Sequence, residues 1–136
     1  MNHTHNLAIL FLFMIGGAVL MLSSSNTPTT TSAAVRPYIE LADSPTIAVD
    51  WSKGRAQSVT LGGSRSLTFS NGQKGASYLL IIRQDATGSR ILTWPASVHW
   101  PGGTPPTLTT LAGKADYLTF FYNGVSYNAI AFAQNL

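Results

Sequence analysis

The chain has 136 residues, no cysteine and a formal net charge of +3. That length holds one small domain and a tail rather than two full domains. Without cysteine there is neither a disulfide staple nor a thiolate metal site. The eight basic side chains are scattered between Arg36 and Lys114, unlike the clustered stripe of a nucleic-acid binder, so no nucleic-acid partner is expected.

Residues 1–35 carry no Asp, Glu, Lys or Arg. Within them Leu7–Leu22 (LAILFLFMIGGAVLML) is an unbroken run of apolar residues and glycine. It predicts a single N-terminal hydrophobic helix of roughly 24 Å, slightly short of a ~30 Å hydrocarbon core. Residues 1–22 then read as a membrane anchor or as a secretory signal peptide. The anchor is preferred, because MNHTHN lacks the basic residues a signal sequence wants and Ser32-Ala33-Ala34 lies well past the run. Residues 23–45 are rich in Ser, Thr and Pro and are expected to form a stalk.

From Thr46 to residue 136 the apolar period is two. Ile47, Val49 and Trp51 alternate with polar or small neighbours, and Val59 with Leu61 and Leu67 with Phe69 follow. Lys53-Gly54, Gly62-Gly63 and Asn71-Gly72 punctuate these runs as turns. Tyr78–Ile82 (YLLII) is continuously apolar, as in a strand buried on both faces. Asp85–Gly88 turns the chain into a strand at Ile91–Trp94, and Pro95, Pro101, Pro105 and Pro106 impose an irregular stretch around Val98–Trp100. Asp116–Tyr122 and Val125–Phe132 flank Asn123-Gly124, which predicts a hairpin closed by a type I′ turn. The expected fold is all-β, an antiparallel sandwich of jelly-roll character preceded by the hydrophobic helix.

Site chemistry is sparse. His99 is the one histidine after Asn6, and no GxSxG-type nucleophile turn accompanies it. Asp50, Asp85 and Asp116 each sit beside a turn or strand end, where aspartate commonly bonds its own backbone rather than serving in a carboxylate pair. Phosphate loops and metal-ligand spacings are absent from the sequence. The expectation is a non-enzymatic chain with no catalytic residue, no cofactor and no metal. Trp94, Trp100, Tyr117, Tyr122 and Tyr127 remain as aromatic mass, for core and subunit packing or for stacking on sugar rings. Trp94, His99, Trp100, Tyr117, Phe121 and Tyr127 are the candidate ligand or subunit contacts.

Residues 46–135 also resemble the C-terminal module of tailed-phage fibre and related virion surface proteins. The resemblance lies in VTLGGSRSLTFSN, LLIIRQDATGSR, LTWPASVHWPGGTPPTLT and GKADYLTFFYNGVSY. It implies a β-only, non-catalytic, virion-exposed module, often oligomeric, serving attachment or decoration. Fibre proteins of this kind usually place a long shaft before the module, whereas here an apolar run and a short stalk precede it.

The combined expectation is a membrane-anchored virion component (minor capsid, vertex, spike or fibre) in contact with membrane lipid and other capsid or spike proteins. The alternative is a secreted or anchored bacterial surface module for carbohydrate, with a host-surface glycan as partner. Leu118, Phe120 and Tyr122 would share one face of the last hairpin, and Tyr117 and Phe121 the other. A single sandwich core buries one such face, so a homo-oligomer is expected, and the family resemblance implies a trimer as the first expectation.

Overall fold

A computed structural model describes residues 38–136. The hydrophobic helix over Leu7–Leu22, the 1–22 anchor or signal peptide, and residues 23–37 of the expected stalk lie outside the described residues. Among the described residues no helix is long and apolar enough to cross a membrane.

Nine strands follow in chain order among the described residues: β1 (Ile39–Leu41), β2 (Thr46–Asp50), β3 (Ala56–Leu61), β4 (Arg65–Ser70), β5 (Ala76–Gln84), β6 (Leu92–Thr93), β7 (Val98–His99), β8 (Ala115–Tyr122) and β9 (Tyr127–Ala133). The alternation that predicts them is the alternation of burial: Ile47 and Val49 point inward from β2 while Thr46 and Ala48 face solvent. β5 is buried on both faces at Leu80, Ile81 and Ile82. Strand β1 falls within the span expected to be stalk, because it finds a backbone partner in β3 and the Ser58 hydroxyl donates to the Glu40 carboxylate.

The strands form two sheets, one ordered β1-β3-β5-β8-β9-β7 and the other β2-β4-β6. The expectation of an antiparallel, jelly-roll-like sandwich is corrected here. β1–β3, β3–β5, β2–β4, β4–β6 and β7–β9 are parallel pairs. β5–β8 and β8–β9 are antiparallel. From β1 to β6 the chain alternates between sheets, so each strand pairs with the strand one full turn later. The result is a short parallel solenoid. A tight turn cannot close a parallel pair, and here the return path is a strand in the opposite sheet. Gly62-Gly63, expected as a turn, forms a corner between the two sheets.

Successive turns pair Ile39 with Gln57 and Ala56 with Leu79, and in the other sheet Thr46 with Ser66 and Arg65 with Leu92. The turns therefore lengthen along the chain. The β8–β9 hairpin then pairs antiparallel with β5 and closes the solenoid at that end.

Side chains between the sheets make one core: Ile47, Val49 and Leu67 from the smaller sheet against Val59, Leu61, Leu80, Ile82, Leu118 and Phe120 from the larger. Aromatic rings bridge the two. Trp51 stacks on Tyr78 at 4.6 Å between centroids, and Phe69 meets Phe120 edge to face at 5.3 Å.

The solenoid corners are tied by polar contacts, some within one turn and some between successive turns. At one corner Arg65 clasps Asp43 through two hydrogen bonds of 2.7 and 2.6 Å, and in the next turn Arg90 clasps Asp85 at 3.1 and 2.7 Å. At the other corner Asp50 Oδ1 accepts from Ser52 N, Ser52 Oγ and Asn71 Nδ2.

The Asn123-Gly124 hairpin forms, but not with the expected two-residue turn. Its loop runs Asn123–Ser126, with Gly124 at φ +100°. The Asn123 carboxamide oxygen accepts from the N–H groups of Val125 and Ser126, which stabilises the longer loop.

Candidate functional site

The six sequence candidates do not converge. Trp94 and Trp100 meet edge to face at 4.8 Å, and both rings lean on the core ring of Phe120, at 6.1 and 6.0 Å. Each is half-buried. His99 is exposed on β7, the two-residue strand beside β9. Tyr117 and Phe121 lie half-buried on the outward face of β8, away from the tryptophans, while Leu118 and Phe120 fill the core. Tyr127 is 4% exposed, stacks on Tyr122 at 4.3 Å, and its hydroxyl accepts from Gly72 N. Burial and neighbouring tyrosines raise its pKa above the ordinary phenol value.

The three aspartates hold structure. Asp50 and Asp85 each bond nearby backbone and side-chain donors at a solenoid corner. The Arg90 guanidinium and the Gly88 and Thr87 N–H groups hold the Asp85 carboxyl down at about 2. Asp116 is buried and accepts from Thr109 N and Asn135 N, locking the segment before β8 to the one after β9. Among the described residues no group of three His, Cys, Asp or Glu is placed to hold a metal ion.

The tryptophan pair adjoins a groove that sequence reasoning missed. β7 pairs only with Tyr127 and Asn128 of β9. Beyond that point the loop from Trp100 to Pro106, including a 3-10 turn at Pro101–Gly103, stands beside β9. The hollow between them has a volume of about 320 Å³, with Trp100, Pro101, Thr104 and Pro106 on one wall and Ala129–Phe132 on the other. A second hollow of about 620 Å³ continues past Pro106 and Phe132 over Thr107–Leu111, Gln134 and Asn135. Pro and Trp spacing signals the loop wall. The β9 wall has no local signal, since it exists because β7 stops short and because Ile130 is the extra residue of a bulge between Thr119 and Phe120.

A separate hollow of about 260 Å³ lies at the other corner, against Trp51, Arg55, Gln73 and Tyr78. Among the described residues the buried Trp51 indole N–H and Gln57 Oε1 have no hydrogen-bond partner.

The described residues thus form a short β-solenoid with a capped end and a surface groove beside β9. Residues 44–127 match the family model described as "Putative phage tail fibre C-terminal domain", and the chain belongs to that family. It is thus of the phage structural fibre class, a family not typically enzymatic. No curated protein and no solved structure matches the chain.

Proposed function

We propose that this chain is a fibre or spike component of a phage-type virion, with its β module serving attachment to the host surface. The observation that carries the reading is the family match over residues 44–127. The geometry supports attachment over a purely internal packing role. The chain enters the module at β1, one edge of the larger sheet, and the Trp100 groove lies along β9 near the opposite edge.

The finer parts of the proposal rest on sequence. The apolar run Leu7–Leu22, though slightly short of a full hydrocarbon core, supports a membrane anchor and with it a membrane-associated virion component. Half-buried Tyr117 and Phe121 on the outward face of β8 support a homo-oligomer, with three copies the expected number. The test is mass spectrometry of purified particles before and after detergent extraction. The chain should be present in particles and leave with the lipid fraction. Its absence from particles would overturn the virion role, and its retention in delipidated shells would overturn the anchor.

A further inference from the structure

We infer that the groove along the free part of β9 binds a neutral oligosaccharide. The inference rests on the attachment reading and names the ligand class for it.

An open strand edge ordinarily invites another strand. This edge is built against one. Ile130, extruded by the bulge and 58% exposed, breaks the regular repeat of N–H and C=O groups. Pro101 and Pro106 stand in the loop alongside, where an added strand would have to lie. Bulges and prolines are the usual means of keeping an edge unpaired. The occupant is accordingly not a strand.

The lining chemistry narrows the choice. Across the two hollows that share Pro106 and Phe132 no lining side chain is charged, and the one charged side chain of the hollow adjoining them at Pro106–Leu108, Arg90, is already paired with Asp85. A charged ligand would lose hydration there and gain no counter-charge. Trp100 and Phe132 contribute ring surface, and among the described residues the hydroxyls of Thr104, Thr107 and Thr110 and the Asn135 carboxamide make no hydrogen bond to protein. The Gln134 Nε2 donates to Thr107 O at 2.7 Å, which steadies the ridge between the hollows. Apolar ring faces flanked by free hydroxyl and amide groups fit a sugar, whose C–H face is apolar and whose rim carries hydroxyls. Hollows of about 320 and 620 Å³ also fall within the roughly 300–1,000 Å³ of ordinary ligand sites.

The test uses the full chain in zwitterionic detergent micelles, free of sugar headgroups, on an array of neutral hexose and N-acetylhexosamine oligosaccharides. Sialic- and uronic-acid oligosaccharides stand beside them. The expected result is binding to neutral members, weakened tenfold or more by Ala131→Glu and changed less than twofold by Arg55→Ala at the distant corner. Ala131 is exposed, so the variant should keep the wild-type melting temperature, and Thr104→Tyr provides a second, uncharged block. Binding confined to acidic glycans, no binding, or neutral binding indifferent to both groove variants would overturn the inference. So would dissociation of an oligomer by Ala131→Glu, which would make the groove a contact between copies. None of these readouts depends on where the chain resides, so their failure is distinct from absence from virions.

Discussion

The Tyr127 hydroxyl accepts the Gly72 backbone N–H at 3.0 Å, joining the first residue of β9 to the corner after β4. The approach is close enough that a Cβ at Gly72 would sit 2.5 Å from that oxygen and 2.8 Å from the ring. Gly72→Ala should therefore cost about 1–3 kcal/mol through overpacking. Tyr127→Phe should cost about 1 kcal/mol by leaving the N–H without its acceptor. Urea unfolding of the double variant should show less than the sum, since removing the hydroxyl also removes the nearest clash. Strict additivity would show that the contact does not form.

The two arginine–aspartate clasps set an acid limit. Arg90 holds Asp85 at about 2, and Arg65 holds Asp43 below the ordinary 3.8. A carboxyl whose folded pKa is depressed contributes stability that is complete above its unfolded value, and that contribution is lost as pH falls toward the folded value. Stability should hold down to about pH 4 and decline toward about pH 2. Arg90→Gln should shrink that decline in acid titrations followed by tryptophan fluorescence. Added salt should weaken it too, because both pairs are solvent-accessible. An acid profile unchanged in Arg90→Gln would refute the assignment.

Asp116, 2% exposed, accepts from Thr109 N at 2.6 Å and Asn135 N at 3.0 Å. Asp116→Ala should cost about 2–4 kcal/mol, since two charge-assisted bonds vanish and their donors lose a partner. Asp116→Asn should cost less, retaining one acceptor. Amide exchange at Thr109 and Asn135 should accelerate in the alanine variant, ahead of exchange in β5. Unchanged protection at both amides would remove the latch from the account.

Tyr117 and Phe121 share the outward face of β8, opposite the core residues Leu118 and Phe120. Phe121→Asp should convert the proposed trimer to monomers in light scattering of the full chain in zwitterionic micelles, with little loss of fold. A wild-type monomer at micromolar concentration would end the oligomer proposal and reassign that face to a different partner.

Much of the strand inventory was legible in the residues themselves. Ile47–Val49, Val59–Leu61 and Leu67–Phe69 alternate because one side of each strand must leave water, and YLLII is continuous because β5 is covered on both faces. The family resemblance over WPASVHWPGG was legible too. Pairing direction was not. Period-two alternation states which side chains turn inward, and it is identical for parallel and antiparallel neighbours. That Ile47 lies beside Leu67, parallel and one solenoid turn away, follows from β3 occupying the opposite sheet between them. Tertiary structure likewise decided the fate of Tyr127, buried because Gly72 and Tyr122 close on it, and of Asp116, whose partners Thr109 and Asn135 come from separate segments. The groove belongs with these: Trp100 is visible in the sequence, but its opposite wall arises only where β7 ends and β9 bulges at Ile130. Burial pattern is a local property of the chain, whereas neighbour identity depends on the path the backbone takes between strands.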